Sequence, residues 1–236
     1  MGHTRWATRR EEGTNQKHTI GIVADTATKQ SFREGRLWAV LSRRSIPLDI
    51  LQGVLIGFGV SILILGTLVS IRSSTLMTTV NGWQSTQACG IASDLVTEAA
   101  CAQKLPAVNS PSEAMYWQAT VDGSGSKLGG SKSYVIHFVK GRLPPVSAFW
   151  SITIAGSNRL MVADAEHKYS VSDRSGLIAN DDGSIDVYLQ PISPAGHDAN
   201  WLPTPSGTFM LWLRAYEPAQ SILDGTWQPP AIELAR

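Results

Sequence analysis

TFMLWLRAY, residues 208–216, is the stretch whose reading decides the fold. It is rich in Phe, Leu, Trp, Tyr and Thr, and apolar positions alternate with others around Arg214. That period of two marks a β-strand with one buried face. Six further segments read the same way: YWQATVD (116–122), SYVIHFV (133–139), FWSITI (149–154), RLMVAD (159–164), YSVSD (169–173) and SIDVYLQP (184–191). GSGSKLGGSK, LPP, AGSN, NDDG and TPSG stand between them, all turn-forming compositions. Parallel pairing would require long crossover helices, and none fits between these segments. The expectation is therefore a mainly β domain, an antiparallel β-sandwich over residues 111–236 with a few short helices. Roughly 120 residues are enough for one such core.

Upstream the period changes. In TQACGIASDLVTEAACAQKL (86–105), Ile91, Leu95, Ala99 and Ala102 follow helical spacing, and Pro106 ends the run. Ser110-Pro111-Ser112-Glu113 signals a second helical turn, with Ser as N-cap and Pro at the first position. PAQSILDG (218–225) predicts a last one. Residues 73–110 thus read as a connector with a short helix, polar from Ser73 to Thr86. Cys89 and Cys101 are the only cysteines. A continuous helix from 89 to 101 would hold them about 18 Å apart, too far for a disulfide, whereas a break at Gly90 would permit one. The sequence leaves both readings open.

Farther back, ILQGVLIGFGVSILILGTLVSI (50–71) carries no charge over 22 residues. As a helix it is about 33 Å long, enough to cross a bilayer core. A soluble core helix would carry a polar stripe. A cleaved signal peptide would have a shorter apolar region nearer the N-terminus. The expectation is one uncleaved transmembrane helix within residues 46–72. Residues 1–49 hold nine Lys/Arg against five Asp/Glu, net +4, and residues 72–236 hold eleven against fourteen, net −3. The positive-inside rule then places residues 1–45, polar and read as disordered, in the cytoplasm. The C-terminal domain falls outside, in the periplasm of a Gram-negative cell, with the inner membrane as its location. Gly53, Gly57 and Ser61 share one face at a spacing that lets helices approach, so membrane and homodimer partners both enter, beside the reading of a Gly-rich span with no partner.

Motifs for chemistry are sparse. His137, His167 and His197 lie thirty residues apart with no metal-binding spacing, and there is no nucleophile elbow or P-loop, so neither a metal nor a cofactor is expected. Asp181, Asp182 and Asp186 read as a solvated hairpin tip, with weak calcium binding by NDDGS as the alternative. The C-terminal part is net acidic with no basic patch, which disfavours a nucleic-acid role. GHTRWAT (2–8) resembles the substrate-binding segment of class II glutamine amidotransferases. Those enzymes need an N-terminal cysteine, and none precedes Cys89, so the match is read as chance or as an artefact of the gene start. What remains is an aromatic set: Tyr116, Trp117, Phe149, Trp150, Tyr188, Trp201, Trp212, Tyr216 and Trp227. Aromatic rings on a sheet can hold an apolar or sugar-like ligand, and equally can be core. Arg214, on an apolar strand, needs a partner if buried; Asp186 and Glu217 are candidates.

SEAMYWQATVDGSG (112–125), LPPVSAFWSITI (143–154), NDDGSIDVYLQP (180–191), NWLPTPSGTFMLWLRAYEP (200–218) and DGTWQPPAI (224–232) carry a pattern that resembles the proteins of unknown-function family DUF1214. With the NGW at 81–83, the resemblance covers residues 81–236. It implies a jelly-roll-like sandwich, often found behind a sister domain of family 1254, here absent, or alone behind one membrane anchor. Ala155-Gly156 stands where the family usually has Tyr-Asp, so a site using that pair would be missing. The family carries no established activity.

Three functional readings follow. The first is a membrane-anchored periplasmic binding or envelope-associated module using Trp150, Asn200, Trp201, Arg214 and Tyr216. The second is an enzyme or accessory with acid–base chemistry from Asp186, Arg214 and a histidine. The third is a structural subunit of a membrane complex, joined through Gly53, Gly57 and Ser61.

Overall fold

The computed structural model describes residues 47–92, 94–105, 108–160 and 168–235. Expectations for residues 1–45, and for His167, fall outside them.

Helix α1, Leu48–Thr75, is long and apolar enough to cross a membrane. It has no polar stripe because its sequence offers none. The hydroxyls of Ser61 and Thr67 donate back to the carbonyls of Gly57 and Leu63 at 2.8 and 2.7 Å, so they need no external partner. Asp49 in the first turn and Arg72 in the last complement the helix dipole. A Cβ built on Gly53 or Gly57 would meet nothing within 4 Å.

The β domain comprises β1 (Thr78–Val80), β2 (Trp83–Ser85), α2 (Leu95–Lys104), β3 (Ala114–Ala119), β4 (Tyr134–Phe138), β5 (Val146–Gly156), β6 (Ser170–Ser172), β7 (Ile185–Gln190), a 3-10 turn (Asp198–Asn200), β8 (Trp201–Pro203), β9 (Phe209–Pro218), α3 (Gln220–Leu223) and β10 (Ile232–Leu234). One sheet runs β1-β2-β3-β9-β5-β6 and the other β10-β4-β7-β8. Alternation decides which side chains face in. In β9, Leu211, Leu213 and Ala215 join Trp117 of β3 and Ile152 of β5. They share one core with Ile136, Val187, Leu189, Leu202 and Ile232 of the second sheet. Two packed sheets around one core are what the alternation predicts.

The departures have local causes. The polar stretch 73–86 contains the hairpin β1–β2, turned at Asn81-Gly82 with φ of 53° and 84°, which suits a two-residue hairpin turn. β8 runs parallel to β7, so the second sheet is mixed; the intervening 3-10 turn supplies the crossover that strict antiparallel pairing assumed away. The expected strand at 159–164 starts in a turn, with Arg159 at φ 65°, and 161–164 lie outside the described residues. Ser110–Glu113 forms a turn rather than a helix. The helix expected over 86–105 begins only at Leu95, where the Asp94 carboxylate accepts from Thr97 N–H at 2.8 Å. Gly90, at φ 87°, bends the chain before it; a Cβ there would lie 2.2 Å from the Asn109 carbonyl oxygen. That bend brings Cys89 and Cys101 to a Cα separation of 5.4 Å, and they form a disulfide. With Leu105, the pair packs against Leu76, Met77, Val108 and Trp212, forming a small lobe on the outer face of the six-stranded sheet.

Candidate functional site

Cross-strand register builds the site. Thr78 pairs with Ser85, and Ser85 with Trp117, so the three share one row of the six-stranded sheet. The segment from α3 to β10 packs on this end: Asn81 Nδ2 donates to Pro229 O at 2.9 Å and Trp83 Nε1 to Pro230 O at 2.8 Å. Between sheet and segment lies a cleft of about 340 Å³. Its aromatic walls are Trp117 and Trp227, edge to face with centroids 5.6 Å apart. Met115 and Ile222 add apolar surface, and Thr78, Ser85, Thr86, Gln87 and Gln228 add hydroxyls and amides.

The walls are fixed. Trp227 N–H donates to Ser221 O at 2.8 Å and its Nε1 to Arg142 O at 3.0 Å. The Asp224 carboxylate accepts from the N–H and the hydroxyl of Thr226, holding the turn into Trp227. Those bonds, the backbone one foremost, hold Asp224 below the usual carboxylate range. The Gln87 amide donates to Leu223 O across the rim. Among the described residues lining the cleft none is titratable. It can hold a neutral ligand by stacking and hydrogen bonds. A wider cavity of about 450 Å³ lies beside Asp122. That carboxylate already accepts from Ser124 N–H, Ser124 Oγ and Ser126 N–H, so it holds a turn.

The five residues expected to bind a ligand do not converge. Trp150 is core, its ring 5.6 Å from that of Phe138. Asn200 is buried: its amide donates to Ile178 O and Asp186 O at 2.8 Å and accepts from Ile178 N–H at 2.7 Å. Trp201 is nearly buried and donates to Gln190 O. Arg214 and Tyr216 face out from the six-stranded sheet, Tyr216 stacked on Phe149 at 4.3 Å. An indole or amide on a strand looks the same in sequence whether it serves core or ligand. Asp186 does not reach Arg214; it pairs with His137 Nδ1 at 2.6 Å and accepts from Asn180 at 2.9 Å, on the other sheet. The expected acid–base trio is therefore split between opposite sheets. Asp182 accepts from Ser184 N–H and Oγ at the expected hairpin tip. Of the aromatic set, Trp117 and Trp227 meet in the cleft, and sequence reasoning missed both their meeting and the polar rim around them.

This two-sheet β domain places the chain in a class, and comparison with known proteins narrows it. Residues 113–220 match the family described as "Protein of unknown function (DUF1214)", and over that stretch the chain is similar to its members. The match runs from β3 through β9 and includes Trp117, while β1, β2, Trp227 and β10 lie beyond it. Among solved structures, the chain is similar to the VPA0106 protein of Vibrio parahaemolyticus, with 30% identity and a TM-score of 0.56 over 72% of this chain. The chain spans 42% of that protein's length. It also matches an uncharacterized protein of Burkholderia cenocepacia, with 18% identity and a TM-score of 0.39, covering 58% of this chain and 32% of that one. No curated protein matches the chain.

Proposed function

We propose that the protein is a membrane-anchored binding module. Helix α1 is its anchor, the β domain stands on the periplasmic side, and the Trp117–Trp227 cleft holds a small neutral ligand, sugar-like or amphiphilic. The observation carrying this reading is a cleft with two fixed indoles, a rim of hydroxyls and amides, and no titratable side chain among the described lining residues. Indole faces suit the C–H faces of a sugar or an apolar chain, and the rim suits hydroxyls. Its volume, about 340 Å³, sits at the small end of the range of roughly 300–1,000 Å³ found for ligand pockets. Two residues lie between Thr75, the last of α1, and Thr78 on the cleft rim, and the three steps span at most about 11 Å. A ligand at or near the bilayer surface is thus within reach. The charge asymmetry across α1 supports the periplasmic orientation.

The experiment is purification of the full chain from its native membrane in mild detergent, followed by native mass spectrometry. A neutral small molecule retained at about one per chain is expected. Its absence across several mild detergents would count against the reading. Alkaline phosphatase fused after Arg236 should be active in cells, and an inactive fusion would reverse the orientation.

A further inference from the structure

Arg214 is a half-buried cation that no carboxylate among the described residues neutralises. It projects from the outer face of β9, flanked by Tyr116 on β3 and Ser151 on β5, its direct cross-strand neighbours. Its Nη1 donates to Thr153 Oγ1 at 2.9 Å, and its guanidinium carbon lies 5.9 Å from the Trp212 centroid. No described carboxylate lies within 4 Å of it; among the described residues the ion pair is His137–Asp186, on the other sheet. A guanidinium offers five N–H donors in a planar fork, and one of them is used here. Leaving such a group partly desolvated and unpaired is unfavourable, so its retention calls for a partner from outside the chain.

The surroundings say what that partner is. Thr153 accepts from Arg214, which leaves its own O–H free to donate. The Ser151 hydroxyl is engaged by no described residue, and both Ser151 and Thr153 are buried beneath the face. Tyr116 brings a phenol, pushed up in pKa chiefly by burial and so a neutral donor, with the Asn109 backbone beside it. On one side of this row stands Trp212 under the disulfide-tied lobe. On the other, Tyr216 stacks on Phe149, with the Arg174 guanidinium 4.7 Å from that ring. Donors converge on a cation between two aromatic rows.

We propose that Arg214, Thr153, Ser151 and Tyr116 form a site for the oxyanion, carboxylate or phosphate, of an organic ligand whose apolar body lies on the flanking rings. This site is on the sheet face opposite the Trp117–Trp227 cleft and does not rest on that cleft's reading.

The test is calorimetric titration of the full chain in detergent micelles with sodium benzoate, then inorganic phosphate, at constant ionic strength with chloride as control. Saturable binding of at least one anion, and none of chloride, is expected. Benzoate alone would assign a carboxylate, and phosphate alone a phosphoryl group. R214M should weaken binding by about tenfold or more, as loss of a bidentate charge-assisted pair implies. It should melt no lower than wild type, because the stem is kept and the unpaired charge removed. Should R214M fail to fold, the S151A/T153V double variant decides, with a loss of about threefold or more expected from the missing hydroxyl donors. Absence of saturable binding by either anion, or unchanged affinity in the variants, would overturn the proposal.

Discussion

Asn200 separates a structural reading of the aromatic-polar set from a ligand-binding one. Replacing it with Leu keeps the approximate volume and deletes three hydrogen bonds, to Ile178 N–H, Ile178 O and Asp186 O. Asn200 is 1% exposed, so water replaces those partners poorly. Each orphaned backbone group costs about 1–3 kcal/mol, and partial relaxation brings the total to about 3–5 kcal/mol. With a urea m-value of about 2 kcal/mol/M for a domain of this size, the midpoint falls by roughly 1.5–2.5 M. N200D should be similarly harmful at neutral pH: it keeps the acceptor for Ile178 N–H but turns carboxylate oxygen toward two carbonyls. Urea unfolding of the full chain in micelles, followed by tryptophan fluorescence, reads both. A midpoint within about 0.3 M of wild type, together with loss of a co-purified ligand, would refute the reasoning and return Asn200 to the binding set.

Other consequences are equally direct. The C89S/C101S double variant opens a 12-residue separation, and loop-closure entropy puts the loss at about 3 kcal/mol, read as an unfolding midpoint below that of oxidised wild type and close to that of reduced wild type. An unchanged midpoint would mean the lobe unfolds independently of the sandwich. Asp122 is held below its ordinary range, first by the Ser124 hydroxyl and then by the Ser126 and Ser124 N–H groups, against its burial. Asp182 and Asp224 are lowered in the same way. A carboxylate with a depressed folded pKa stabilises above its unfolded value, near 4, and loses that contribution as pH falls through the folded value. Melting temperature should therefore drop steeply below about pH 4, and D122N should flatten that slope. Gly53→Leu with Gly57→Leu meets open space in the single chain, so monomer stability should hold. If the glycine face joins two copies, the same change lowers the mass seen by light scattering in detergent; an unchanged mass would reject that face as an interface.

The sandwich was legible because its strands obey a period of two. Leu211, Leu213 and Ala215 point inward while Trp212, Arg214 and Tyr216 point outward, and sequence alone displays that. Three-residue strands such as β1, β2 and β10 are too short to show a period, although Asn81-Gly82 marks one hairpin to a reader looking for turns. The parallel β7–β8 pair escaped because its crossover is a brief turn rather than a helix. The site was less legible for a different reason. Its walls come from Thr78 and from Trp227, far apart in the chain, and are tied by bonds such as Trp83 to Pro230, 147 residues apart. No local pattern encodes that meeting. Asn200 misled because a buried amide clamp and a ligand-binding amide use the same residue type.

The cleft itself is the direct test. Thr78 stands exposed on its rim, and Thr78→Trp would place an indole in the opening without touching Trp117, Trp227 or the core. Native mass spectrometry of wild type and T78W, purified side by side, should show a neutral ligand on the wild type and its loss from a variant that unfolds at the same urea concentration. Equal ligand occupancy in a folded T78W protein would contradict the account and place the ligand elsewhere on the domain.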